Sequence, residues 1–193
     1  MNSNCKLIDK SGLLVTKQAV RDGISKTDLY QYIRENELNQ VGHGVYVEKK
    51  SWADDLYILH LRCPQAIFSH DEALYHYDLV DREPMQHTLT IYSGYGTQRL
   101  KQSGVKVFTV KKELLDIGRV TVKTSLGHEI PMYDLERTMV DLFRSKSYFE
   151  IQDFQTALKG YSCIKSKDLN LLMKYAKLFH VDKKIREYME VLL

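Results

Sequence analysis

Apolar positions recur along this chain with two different periods, and the changes of period divide it. Leu13-Leu14-Val15 is a short apolar run that reads as a strand. Thr16 then offers a side-chain oxygen to open a helix over Lys17–Asp22, which Gly23 ends. Ile24 plugs the turn, Ser25 is a second N-cap, and the next helix runs from Lys26 to Asn36. Leu38–Val41 and Val45–Val47 follow as two strands joined through Gly42-His43-Gly44. That order predicts a winged helix-turn-helix over residues 1–50, a fold whose second helix enters the DNA major groove.

Beyond it the chain changes register twice. Ser51 is placed to cap a helix over Trp52–Leu61, stopped by Cys63-Pro64. Gln65–Phe68 reads as extended, Ser69 opens a helix over Asp71–Tyr77, and Pro84 marks a break. His87–Tyr92, Val105–Val110 and Arg119–Ser125 are strand-like, the last pairing with Glu129–Tyr133 across Leu126-Gly127-His128. From Leu135 the period is helical, with helices expected over Leu135–Ser145, Glu150–Tyr161, Ser166–Phe179 and Lys183–Leu192. The expected fold is α+β: a reader at 1–50, then a second domain at 51–193 with a mainly antiparallel sheet (86–133) packed by helices and a helical C-terminus (135–192).

The second helix of the reader has two faces. Leu29 and Ile33 point inward with Tyr32 beside them, whereas Thr27, Tyr30, Gln31 and Arg34 follow the i, i+3, i+4, i+7 spacing on another side, with Lys26 at its rim. Each of these can donate or accept a hydrogen bond, as a major groove requires: Arg for guanine, Gln for adenine, Thr and Tyr for phosphate or a thymine methyl. Lys17 on the first helix is a candidate phosphate contact, and His43 at the hairpin tip a candidate backbone or minor-groove contact. A polar helix face alone is a solvated one. The tight turn before it and the hairpin after it turn the reading toward double-stranded DNA.

Charge modifies this picture slightly. Residues 1–50 hold eight Lys/Arg against six Asp/Glu in a chain whose net charge is +3, which suits a sequence-specific binder with modest nonspecific affinity. With 193 residues and 44% hydrophobic content the chain can bury two cores. There is no apolar run long enough to cross a membrane and no leader-like start, and the three cysteines, Cys5, Cys63 and Cys163, are widely spaced without a CxxC. These features lead to the expectation of a cytoplasmic protein with reduced thiols and no membrane partner.

Other chemistry is poorly represented. Ser93-Gly94-Tyr95-Gly96 lacks the Gly-Lys-Ser/Thr of a phosphate loop. His70 and His76 are six apart with no HExxH, so structural histidines are expected there. Neither a cofactor nor a metal nor a catalytic residue is predicted. Arg99, Lys101, Lys106, Lys111 and Lys112 admit two readings, a solvated face or a supplementary nucleic-acid contact.

Four segments carry a family resemblance: the hairpin end Gly44-Val45-Tyr46, FSHDEALYHYDLVDREP (Phe68 to Pro84), IPMYDLERTMVDLFR (Ile130 to Arg144) and YAKLFHVDKKIREYMEVL (Tyr175 to Leu192). Together they resemble AbiEi, the antitoxin of the AbiE abortive-infection (type IV) toxin–antitoxin systems, over nearly the whole chain. The resemblance implies a repressor that binds inverted repeats in its own promoter through its N-terminal domain. It also implies a C-terminal domain that opposes a nucleotidyltransferase-like toxin, without a stable antitoxin–toxin complex as the rule. A monomer off DNA whose copies cooperate on the two half-sites fits such a reader.

The most specific piece is Asp134, Glu136, Arg137, Thr138, Asp141 and Arg144. Arg137 with Asp141 and Asp141 with Arg144 stand at i, i+4 and i, i+3, spacing for a charge ladder along one helix. The alternative makes Asp134, Glu136 and Asp141 metal-binding carboxylates of a nuclease-like domain behind a DNA reader. The Glu-x-Lys that would place a lysine beside such a metal is missing, since Glu136 is followed by Arg137-Thr138.

Overall fold

The computed structural model describes residues 7–192; Cys5 lies outside the described residues. The chain divides into two compact units, one of residues 1–64 together with 123–129, the other of 65–122 with 130–193. The first is larger than the fifty residues expected for a reader, because the helix after the hairpin and a distant turn both belong to it.

In the first unit, β1 (Leu13–Val15), α1 (Thr16–Arg21), α2 (Lys26–Glu35), β2 (Asn39–Gly42), β3 (Val45–Val47) and α3 (Asp55–Arg62) follow in order. The three strands form an antiparallel sheet ordered β1-β3-β2, with Leu14 opposite Tyr46 and Gln40 opposite it from the other side. Thr16 is not the cap of α1. Val15 occupies that position, and the Thr16 N–H is satisfied by the Gly44 carbonyl at 2.8 Å, so the hairpin replaces a side-chain cap. Gly23, at φ +92°, ends α1 with Ile24 N–H bonding back to the Ala19 carbonyl. Ser25 caps α2 as expected, its oxygen accepting from Asp28 N–H. Two small cores result: Ile8, Leu14, Ala19, Leu29, Ile33 and Leu38 under the helices, and Leu13, Val45, Val47 and Ile58 between the sheet and α3. Ser51 does not cap α3. Asp54 does, accepting from Tyr57 N–H, and the helix starts three residues later than its apolar pattern suggested.

The second unit holds β4 (Ile67–Phe68), α4 (Asp71–His76), β5 (Thr88–Tyr92), α5 (Gln98–Gln102), β6 (Lys106–Val110), β7 (Arg119–Lys123), β8 (Glu129–Tyr133) and the helices α6 (Leu135–Arg144), α7 (Ile151–Cys163), α8 (Leu169–Leu178) and α9 (Asp182–Leu192). Its sheet, ordered β6-β5-β4-β8-β7, is mixed and not mainly antiparallel: β5 runs parallel to β6 and β4 parallel to β8, while β4 and β5 are antiparallel. The stretch between β5 and β6 is too long for a hairpin and folds into α5, a crossover that makes the pair parallel. Helix α6 packs against α4, α8 and α9, and every residue from Glu136 to Phe143 is buried. The protein is therefore a mixed α+β chain with two sheets. Among the described residues no helix is long and apolar enough to cross a membrane.

Candidate nucleic-acid interface

Helix α2 presents two unlike surfaces. Leu29 and Ile33 are buried in the first unit's core, while Lys26, Thr27, Tyr30, Gln31 and Arg34 are exposed, Tyr30 to 51%. All five therefore share one accessible helix face, as their spacing requires. The two long side chains lie along their own helix: Gln31 Nε2 donates to Glu35 Oε1 at 2.8 Å and Arg34 Nε to the Tyr30 carbonyl at 3.4 Å. Both contacts are solvent-exposed and hold little energy against a base edge.

His43 is exposed at the β2–β3 turn. Gly44 beside it has φ +71°, and a Cβ there would stand 2.5 Å from Thr16 Oγ1, so the turn can lie against the start of α1 only with glycine. Lys17 stands apart from the α2 set. It is exposed on α1 and, with Arg21, edges a groove of about 590 Å³ floored by Leu13, Val15 and Leu61.

A cluster that the sequence reading missed lies in the same unit. The His128 ring is stacked on Tyr57 at 4.1 Å between centroids, with Nδ1 2.6 Å from Asp54 Oδ2 and Nε2 3.0 Å from Asp9 Oδ2. Thr124 Oγ1 donates to the same Asp54 oxygen at 2.5 Å. Burial works against a charged His128, but hydrogen bonds to Asp54 and Asp9 and their negative charges outweigh it, and its pKa is raised. No local pattern foretells it, since its five members come from three stretches of chain far apart in sequence.

The Asp134–Arg144 motif, in the second unit, is a buried polar network in which Arg137 Nη2 alone is buried without a hydrogen-bond partner among the motif's described atoms. Asp134 caps α6: Oδ1 accepts from Arg137 N–H at 2.7 Å and Oδ2 from the Tyr175 hydroxyl at 3.1 Å. Glu136 accepts from Asp168 N–H at 2.8 Å, tying α6 to the start of α8. Arg137 is completely buried between the rings of Tyr133 and Phe179, its carbon 4.0 and 3.9 Å from their centroids. Its Nε donates to Asp141 Oδ2 at 3.2 Å and its Nη1 to the carbonyls of Ile117 and Leu114 at 2.7 and 3.2 Å. Arg144 closes the ladder with Nη1 2.5 Å from Asp141 Oδ1. Each carboxylate proposed as a metal ligand thus has protein partners. Among the described residues no three His, Cys, Asp or Glu side chains are placed to hold a metal ion.

His70, expected to be structural, sits in the same unit beneath Phe108, with ring centroids 3.4 Å apart. Its nitrogens lie 3.0 Å from Ser69 Oγ and from Ser145 Oγ. Its backbone, at φ +53° and ψ −120°, is one that side chains rarely adopt. Burial removes the imidazole from water and drives its pKa down to about 4.

No family model matches this chain, and no curated protein matches it. Among solved structures, the crystal structure of the RV2827C protein from Mycobacterium tuberculosis is similar to it. The TM-score is 0.60 at 14% identity, over 88% of this chain and 67% of that one. At that identity the likeness is one of fold.

Proposed function

We propose that the first unit is a winged helix-turn-helix DNA reader and that the protein is an antitoxin and autorepressor of the AbiEi kind. The observation that carries the reading is the α2 face: five exposed hydrogen-bonding side chains, Lys26, Thr27, Tyr30, Gln31 and Arg34, opposite a buried Leu29–Ile33 stripe. A hairpin with an exposed His43 follows directly, in the place a wing occupies. Arg34 and Gln31 would read base edges, and Lys17, Lys26 and His43 would hold phosphates or the minor groove.

So small a reading surface gives limited affinity alone. Two copies on an inverted repeat in the protein's own promoter, binding cooperatively from a monomeric pool, supply the rest. The second unit would oppose a nucleotidyltransferase-like toxin without a stable complex, in the cytoplasm. The engagement of Asp134, Glu136 and Asp141 within the fold supports a non-catalytic role for that motif, against the nuclease alternative.

The test is a gel shift at fixed salt with DNA from upstream of the protein's own gene. Arg34→Ala or Gln31→Ala should weaken specific binding by about 1–3 kcal/mol. Unchanged affinity in both variants ends the assignment of α2 as the reading helix.

A further inference from the structure

A long basic stretch lies outside the reader. From Lys159 to Arg186 there are eight Lys/Arg and two Asp/Glu, in a protein whose net charge is only +3. The helical corner from α8 into α9 concentrates it. On α8 the buried stripe is Leu172 and Ala176, and the opposite face carries exposed Lys174, Lys177 and Leu178. One short turn later α9 opens with exposed Lys183 and Lys184, while Ile185 and Met189 face the core. At 1.5 Å of rise per residue, each helix places its lysines within about 6 Å along its axis at the joint.

Two features of this corner work against stability. Lys183 and Lys184 follow Asp182 in the first turn of α9, where the helix dipole favours acids and disfavours lysine. His180 makes the turn at φ +57°, a position that glycine fills at least strain, with its N–H bonded to the Lys177 carbonyl at 3.2 Å and Val181 N–H to the Ala176 carbonyl at 2.9 Å. Lys174, Lys177, Lys183 and Lys184 make no ion pair among the described residues. Asp182 and Glu187 offset part of this charge; the positive excess that remains repels, and a partner of opposite sign removes that cost.

We propose that the α8–α9 corner is a second DNA-binding surface, one that holds the phosphate backbone of duplex DNA irrespective of sequence. Charge complementarity selects a polyanion, and the side chains select among polyanions. A protein-binding surface is rich in aromatic anchors and poor in lysine, whereas this corner exposes four lysines beside Arg186, with Leu178 as its one large exposed apolar group. A single strand needs aromatic platforms on which bases stack, and the corner exposes none. Lysine point charges on short helices suit the regular phosphates of a duplex. The choice of DNA over duplex RNA rests on the reader proposed above.

The experiment measures binding of the full chain to a random-sequence duplex DNA of about four helical turns by fluorescence anisotropy, from 50 to 200 mM salt. The variant Lys177→Gln/Lys183→Gln/Lys184→Gln removes three corner charges, and the control Arg82→Gln/Arg119→Gln/Lys123→Gln removes three elsewhere. Loss of three phosphate contacts should lower the slope of log K against log salt by about 2 to 3 and weaken binding about tenfold or more, in the corner variant alone. Parental affinity and slope in the corner variant overturn the proposal, as does an equal loss in the control. Tighter binding of the parent to a duplex RNA of the same length, or full competition by polyglutamate, overturns DNA as the occupant. A parent that binds the random duplex through the corner yet does not discriminate its own promoter ends the reader assignment and leaves this one standing.

Discussion

Arg137 and Asp141 stand one helical turn apart on α6, and solvent reaches neither: the guanidinium Nε meets the carboxylate Oδ2 at 3.2 Å with both side chains fully buried. Two opposite charges removed from water together are tolerable when their remaining hydrogen-bonding capacity is met. Here Arg144 takes the second carboxylate oxygen and the Ile117 and Leu114 carbonyls take Nη1, while Nη2 is buried without a hydrogen-bond partner and the guanidinium lies against the Tyr133 and Phe179 rings. One arginine thereby fixes the segment before β7 to the helix after β8.

Removing one partner leaves the other charge stranded. Arg137→Ala should destabilise the second unit by about 3–5 kcal/mol in a denaturant melt. Arg137→Met keeps much of the volume and should cost nearly as much. Arg137→Met with Asp141→Leu removes both charges and should recover a large part of the loss. A double variant no more stable than Arg137→Met would show that the buried charge is not the cause.

Gly118 is placed by the same arginine. Its φ is +77°, and a Cβ would stand 2.5 Å from Arg137 Cβ and 3.0 Å from Cγ, in a side chain held on every side. Gly118→Ala should therefore cost more than the roughly 1 kcal/mol of an ordinary glycine replacement, about 2–4 kcal/mol. Gly94→Ala, at φ +96° with open space around it, is the comparison that isolates the steric part. Equal losses in the two variants would show that Arg137 yields.

Much of the first unit's helix pair and of this network is written locally, and what the sequence hides is non-local. The Ser25 cap, the Leu29–Ile33 stripe and the Arg137–Asp141–Arg144 spacing need only neighbours along one helix, so periodicity and capping rules reach them. The α5 crossover carries a single buried apolar residue, Leu100, too little for a period to register. Trp52, assigned by its apolar character to a helix, is 87% exposed ahead of α3, because Asp54 caps that helix. The pairing of β4 with β8 and the meeting of His128 with Asp9 and Asp54 depend on chain closure across most of the sequence.

Two histidines, His70 buried and His128 part-buried, give the units opposite responses to pH. His70 is folded with its pKa depressed by burial to about 4, from an ordinary 6.5. Between those values the unfolded chain binds a proton that the folded one refuses. The stability present above pH 6.5 is lost as the pH falls toward 4, by about 3 kcal/mol at most. His128 is raised, its burial outweighed by Asp54 and Asp9, so the stability it contributes is full below its unfolded pKa and is lost as the pH rises through the folded one. Melts from pH 4 to 9 should show a shallower acid limb in His70→Asn and a shallower limb above neutrality in His128→Gln. An acid limb as steep in His70→Asn as in the parent would remove His70 from the account.

If the two units carry separate tasks, repression and protection from toxin should part under mutation. Arg34 lies on the exposed face of α2, and its recorded bond is to a carbonyl of its own helix, so Arg34→Ala should melt with the parent and lose promoter binding. Expressed from an unrelated promoter, it should still rescue growth against the toxin. Arg137→Ala should fail in the reverse sense, losing rescue because the second unit no longer holds Asp141, with a lowered melting temperature as the signature. Growth rescue, a reporter of the protein's own promoter and a melt of each variant separate these outcomes. Loss of rescue in a fully folded Arg34→Ala would mean that protection runs through DNA, and the division between units would fall. Loss of rescue in an Arg137→Ala that melts like the parent would mean that the buried network serves the antitoxic surface directly, since stability could no longer account for it.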